Sequence, residues 1–451
     1  MRAYLAVGRT DLGRSLLGAG LARLAGPAAL ARRAAYRRVE RRARTAELGR
    51  WGGCPRVAAD PVPPTPPAPP PPAPAPPAPA PPPAPLFGAA TAYAAGTNPH
   101  AVAAADVDRD GRLDLVVAAA GSNAAAILRG NGDGTFRPAA LYPVGAKPKV
   151  VLPVDLDGDG DLDLASADQD GDSASVALGA GDGTFGAPTH LPACDGAHDV
   201  AAGDLNLDGK VDLVVACWGV ASVVAVLRGH GDGTFEPQQP FAVAPGPSPA
   251  AAPHSVLLRD LDGDGRLDAI VAARDWNAVA ILRGNGDVPV ASQLATAVHY
   301  PVGTHPHQVR AADLDGDGAL DLVTANDGAD AVSLLRGNGD GTFRAAVSAA
   351  VGSVPKGVAL GDVDLDGRVD VLSANTAGNY LGGTPAPGGD TVSLLLGDGA
   401  GGLAAGTTLT VGATPFSLAL ADLNGDGRVD LATANWGATG IPGSVTVLLH
   451  G

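Results

Sequence analysis

One acidic loop, D-x-[DN]-x-D-G-x-x-D, occurs seven times in this 451-residue chain, and no other feature limits the possible folds as tightly. The copies lie at Asp106–Asp114, Asp155–Asp163, Asp204–Asp212, Asp260–Asp268, Asp313–Asp321, Asp362–Asp370 and Asp422–Asp430. Their first residues are 49, 49, 56, 53, 49 and 60 positions apart. A fixed period of that size marks an array of one supersecondary unit, because a single copy cannot bury its own apolar face.

Each loop sits in a longer pattern, ending in a Gly-Asp-Gly-Thr-Phe turn in most copies, that reads as four short strands. In the first copy the spacing predicts strand a at Pro99–Ala105, b at Leu113–Ala120, c at Ala124–Arg129 and d at Phe136–Tyr142. Gly, Asn and Asp separate them as turn formers. Strand b, Leu-Asp-Leu-Val-Val-Ala-Ala-Ala, is apolar apart from Asp114, as expected of a strand covered on both faces. Seven four-stranded units predict an all-β fold, a seven-bladed β-propeller. The seventh copy stops after strand c at Leu448-Leu449-His450-Gly451, while an orphan strand-d segment, Phe87–Tyr93, precedes the first. An N-terminal strand that completes the last blade would close the ring and remove the exposed sheet edge.

Positions 1, 3, 5 and 9 of each loop present hard oxygen donors, and the glycine at 6 permits the sharp reversal such a loop needs. The candidate metal ligands are Asp106, Asp108, Asp110 and Asp114 in the first blade and Asp155, Asp157, Asp159 and Asp163 in the second. The third offers Asp204, Asn206, Asp208 and Asp212, and the fourth Asp260, Asp262, Asp264 and Asp268. In the fifth and sixth they are Asp313, Asp315, Asp317 and Asp321, then Asp362, Asp364, Asp366 and Asp370. The seventh has Asp422, Asn424, Asp426 and Asp430. Four such groups within nine residues repel one another without a cation. Oxygen-only donors favour Ca²⁺ over Zn²⁺, and a flexible shell favours it over Mg²⁺. Up to seven Ca²⁺ are expected, in a structural role.

These loops, the Asp-Leu that opens the next strand and the Gly-Asp-Gly-Thr-Phe turn together resemble the FG-GAP/VCBS repeat family, which also occurs in integrin α-subunits and bacterial surface proteins. The resemblance covers residues 86–451 and implies a calcium-binding propeller, while the family's roles range over adhesins, lectins and lyases. Two turns depart from the pattern: Gly286-Asp287-Val288 in blade four, and Gly399-Ala400-Gly401-Gly402-Leu403 in blade six.

Strand directions put the acidic loops and the Gly-Asp-Gly turns on one face, and the b–c loops and d–a links on the other. At the start of each innermost strand stand His100, Lys149, His198, His254, His307, Lys356 and Phe416. They are expected to ring the mouth of the central channel, gathering an anionic group or a transition metal, or else facing solvent as variable polar residues. The b–c loops add Trp218, Trp276 and Trp436, which either bind a ligand or pack between blades. Insertions at 376–390, with Tyr380, and at 437–443 lengthen the same face.

The chain carries a net charge of −16, but residues 1–60 hold 13 Arg and four acids, a net of +9, so the remainder carries −25. Acidity concentrated in loops argues for cations and against nucleic acid as the partner. Residues 1–60 read as a basic Ala/Arg-rich segment with an amphipathic stretch at 32–50, and residues 61–85 as a polyproline II linker. The N-terminal segment is either a targeting sequence or a stretch read ahead of the true start. Its apolar run Ser15–Ala22 is followed by Arg23 and lacks a proper h-region, so it does not read as a convincing signal peptide. No run of eighteen uncharged apolar residues exists, so no transmembrane helix is expected. Of three cysteines, Cys194 and Cys217 share a blade and either pair or stay as buried thiols.

The combined expectation is an exported or cell-surface, monomeric, non-catalytic module that recognises a glycan or protein on the face opposite the acidic loops. No nucleophile elbow, phosphate-binding glycine loop or paired-carboxylate set separate from the metal ligands points to catalysis. The alternatives are a polysaccharide-lyase-like enzyme using the His/Lys ring, and a structural spacer.

Overall fold

The computed structural model describes residues 6–7, 10–11, 86–219, 221–244, 252–378, 389–438 and 442–451. The expected basic helix, the proline linker, Tyr380 and most of the 376–390 insertion lie outside these residues. The chain divides into two units, Met1–Pro81 and Pro82–Gly451. In the first, Ala6–Val7 and Thr10–Asp11 pair as a short antiparallel hairpin. The second is a seven-bladed β-propeller of four-stranded antiparallel sheets.

Blade one runs from the axis outward as strand a (Pro99–Ala105), b (Asp114–Ala119), c (Ala124–Leu128) and d (Ala140–Pro143). The a strands pack side by side around a closed ring, the seventh (Pro415–Ala421) against the first. Closure is by the N-terminal strand. Thr91–Tyr93 pairs with Ser444–Leu448, Phe87 bridges to His450, and Gly451 donates its N–H to the Leu86 carbonyl at 2.8 Å.

The expected strands b and c each end a residue early, and strand d begins later than expected. Phe136 pairs only as an isolated bridge with Gly130, and its buried ring meets Tyr93 edge to face at 5.5 Å. Arg137 still donates its N–H to the Arg129 carbonyl at 2.8 Å, Pro138 has no N–H to give, and ladder pairing resumes at Ala140. Blade four has no phenylalanine here, and Leu294 takes its place by bridging to Gly284. In blade six strand d starts immediately after the altered turn and runs for eight residues, Leu403–Thr410. Both departures therefore keep their outer strand.

The apolar residues form seven clusters, one at each interface between neighbouring blades. Val116, Ala118 and Ile127 of blade one, for example, pack with Val151 and Leu164 of blade two. Small side chains on strand b allow this close sheet-on-sheet contact. The second residue of each acidic loop belongs to these clusters: Val107, Leu156, Leu205, Leu261, Leu314, Val363 and Leu423 are all buried against the following blade. Loop conformation and blade packing are thus coupled.

Candidate functional site

The acidic loops are shaped by hydrogen bonds of their own. In blade one Asp106 accepts the N–H groups of Asp110 and Gly111, at 3.1 and 2.9 Å, and Asp110 accepts that of Arg112 at 3.0 Å. The position-six glycines have φ between +80° and +88°, a region that disfavours any residue with a Cβ. The last carboxylate is buried at the head of strand b. Asp114 Oδ2 accepts the N–H of Val107 at 3.1 Å, and Oδ1 that of Gly130 at 2.8 Å. The same pair of bonds recurs for Asp163, Asp212, Asp268, Asp321, Asp370 and Asp430. Each of these residues therefore braces its blade.

Carboxylate oxygens of Asp106, Asp108 and Asp114 lie within 4.8 Å of one another, as do those of Asp155, Asp157 and Asp163, of Asp260, Asp262 and Asp264, and of Asp313, Asp315 and Asp321. Burial pushes Asp114 and Asp212 up to about 6 despite their backbone hydrogen bonds, and the neighbouring carboxylates add to the rise. The donor set, hard oxygens on a rigid turn, fits a divalent cation of the calcium type. Arginines at the end of strand c partly balance the charge. Arg129 approaches Asp108 at 3.6 Å and donates to the Asp182 carbonyl of the next blade at 2.5 Å, and Arg283 makes the equivalent contacts with Asp262 and the Asp340 carbonyl. Their signal in the sequence is the Leu-Arg-Gly before four of the turns, at Arg129, Arg228, Arg283 and Arg336.

On the other face every strand a carries a β-bulge, and in each case the extra residue is the second one: His100, Lys149, His198, His254, His307, Lys356 or Phe416. A bulge releases one residue from the ladder and re-aims its side chain. The result differs from a solvated ring. All seven are buried, and the aromatic members fill the channel mouth. His198 lies 4.4 Å from His254, His254 4.9 Å from His307, and His100 4.7 Å from Phe416, measured between ring centroids. Burial draws all four histidines well below the ordinary imidazole range, and the nearby lysines push the same way, so they are neutral. Lys149 falls to about 7, chiefly through burial, and lies over the Trp436 ring at 5.2 Å. Lys356 is held by Asp327 at 2.5 Å, so this lysine does not stand as an unpaired charge for an anion.

The tryptophans separate. Trp218, 44% exposed, has its ring 5.5 Å from His254, and Trp436 has its ring 5.5 Å from Phe416, so both rim the plugged mouth. Trp276 instead stacks on His299 at 5.0 Å and packs into the interface of blades three and four. Cys194 and Cys217 form a disulfide at the base of the Trp218 loop.

The FG-GAP-like repeat profile matches residues 106–166, 155–215, 205–271, 260–324, 313–373 and 380–433. No curated protein matches the chain significantly. Among solved structures, the chain is similar to BBS1N in complex with ARL6DN, with TM-score 0.53 and 12% identity over 81% of this chain and 96% of that one. It is also similar to a catalytically inactive virginiamycin B lyase from Staphylococcus aureus with quinupristin, with TM-score 0.51 and 13% identity over 80% and 99% of the two chains. At such identities the likeness is one of fold.

Proposed function

The chain belongs to the FG-GAP-like repeat family, and from that premise we propose that it is a calcium-stabilised, non-catalytic recognition module, exported or displayed at a cell surface. The acidic loops would hold Ca²⁺ and keep the blades in register. The opposite face would bind a glycan or a protein. The observation that carries this reading is Trp218: a large aromatic left 44% exposed, fixed against His198 and His254, beside a second rim tryptophan. An exposed indole on a rigid scaffold offers a flat apolar surface with a hydrogen-bond donor, which suits a sugar face or a protein hot spot.

The burial of the axial histidines favours binding over turnover, since the plugged mouth leaves them little room to meet a scissile bond. The disulfide Cys194–Cys217 supports an oxidising compartment. The fold offers a precedent for partner binding in the BBS1N–ARL6DN complex. No helix among the described residues is long and apolar enough to cross a membrane.

A glycan array probed with the full chain in millimolar Ca²⁺ tests the reading. Binding that weakens at least tenfold in Trp218→Ala and Trp436→Ala, with folding intact, supports it. Binding unaffected by both substitutions moves the ligand site elsewhere, and shortened glycan products would replace recognition with catalysis.

A further inference from the structure

We propose that His198, His254 and His307 form a transition-metal site on the propeller axis, separate from the acidic loops, with Zn²⁺ as the fitting occupant. One ring nitrogen of each histidine lies within 4.8 Å of the others. The three come from consecutive blades, each as the bulged second residue of its innermost strand, so three rigid elements aim them at one point. A tetrahedral zinc ion with Zn–N bonds of ~2.1 Å needs nitrogens about 3.4 Å apart. Binding the ion therefore requires the nitrogens to close by up to about 1.4 Å.

The hydrogen bonds around the rings favour metal binding. His198 Nδ1 donates to the His254 carbonyl at 2.8 Å, and His254 Nδ1 donates to the Ala252 carbonyl at 3.0 Å. A carbonyl can only accept, so in both rings Nδ1 carries the hydrogen and the lone pair is on Nε2. Metal-bound histidines are oriented in this way, with the second nitrogen donating to a backbone or carboxylate oxygen. The three side chains are buried, and the ring of Phe416 lies 6.4 Å from that of His307, so the surroundings are low in dielectric. Three neutral imidazoles supply three of the four positions, and a water molecule is small enough to complete the shell beneath the plugged mouth.

Ligand chemistry would sort two classes of metal within one molecule. Carboxylate loops on one face suit hard Ca²⁺, and imidazoles on the axis suit a borderline cation. The acidity of the chain explains the first kind of site but has no bearing on the second.

The test uses the full chain without an affinity tag, stripped with chelator and returned to millimolar Ca²⁺ so that the loops are filled. Zn²⁺ is then added, the protein is passed through a desalting column, and bound metal is counted. Co²⁺ serves as a second probe through its tetrahedral d–d absorption. The expected result is about one zinc per chain, a visible cobalt spectrum, and loss of both in His254→Ala and His307→Phe. The second variant places in blade five the residue already present in blade seven, so its fold is checked by an unchanged calcium-dependent melt. His299→Gln, away from the axis, should retain the ion. Zinc affinity should fall by more than about 100-fold in either ligand variant. Failure of the wild-type chain to hold zinc or cobalt, or undiminished binding in both variants, would show that the histidines are only a packed plug.

Discussion

Asp114 accepts the backbone N–H of Gly130 at 2.8 Å, a bond that ties the acidic loop of blade one to the far end of its strand c. The other oxygen of the same carboxylate accepts Val107 N–H. The last carboxylate of the loop is therefore a brace first, and its removal strands two backbone donors in a buried place. Asp114→Ala should destabilise the fold by about 3 kcal/mol even with calcium absent. Asp108→Ala, which leaves the brace in place, should change melting in EGTA far less than Asp114→Ala does and should remove most of the calcium-dependent rise of that loop. Parallel melts with EGTA and with Ca²⁺ separate the two, and equal losses from both variants in EGTA would contradict the distinction.

Asp168 offers a pH-dependent effect remote from the loops. It is fully buried at the end of strand b in blade two, accepting from Ser166 and Ser175 at 2.8 and 2.5 Å. Burial raises its pKa above the ordinary carboxylate value in spite of these hydroxyls. The folded state thus binds a proton that the unfolded state has released. This contribution is fully present below the unfolded value near 3.8 and is lost as pH rises through the raised folded value. Blades five, six and seven place Asn326, Asn375 and Asn435 at the equivalent position, with Ser or Thr partners of the same kind. Asp168→Asn should therefore raise the melting temperature at neutral pH, with the gain shrinking as pH falls toward 4. A difference that grew on acidification would contradict the sign.

The backbone at loop position four predicts a stabilising change. Leu365 has φ of +61° and is 55% exposed, whereas blades two, four, five and seven have glycine there. Relief of left-handed strain outweighs the extra freedom glycine gives the unfolded chain, so Leu365→Gly should stabilise by up to about 1 kcal/mol. Leu141→Gly, at an exposed position in an extended strand, should destabilise by a similar amount. Thermal melts of the two variants should move in opposite directions.

The disulfide gives a redox prediction. Cys194 and Cys217 are 23 residues apart, and closing a loop of that length is worth about 3 kcal/mol. Reductant should lower the melting temperature, and Cys194→Ala should remove that sensitivity. Free thiols in the unreduced protein, counted under denaturing conditions, would contradict the pairing.

How much of this was legible in the sequence depended on what repeats. The seven loops, the strand order and the closure by Phe87–Tyr93 could all be read because each blade restates the same pattern, leaving chain connectivity little choice. The sequence reads strand d of blade one from Phe136, but that residue plugs the sheet edge with a single bridge, and ladder pairing begins at Ala140. The axial residues were found by their position before each loop. Their burial was not legible, since it arises from a bulge in every strand a that alternation alone does not reveal. Trp218 and Trp276 look alike in sequence; the packing of Trp276 on His299 and the exposure of Trp218 beside His254 separate them. The bracing role of Asp114 is not legible because its partner Gly130 lies sixteen residues on, beyond the end of strand c.

Calcium filling the acidic loops would hold the blades together. The most direct test is thermal unfolding of the full chain in excess EGTA and in millimolar Ca²⁺, with a count of bound metal. Each site filled to 100 times its dissociation constant adds about 2.7 kcal/mol, so several occupied loops should raise the melting temperature by many degrees. The expected result is that rise together with several Ca²⁺ per chain. An unchanged melt and no bound calcium would mean that strand packing and the carboxylate braces alone maintain the propeller.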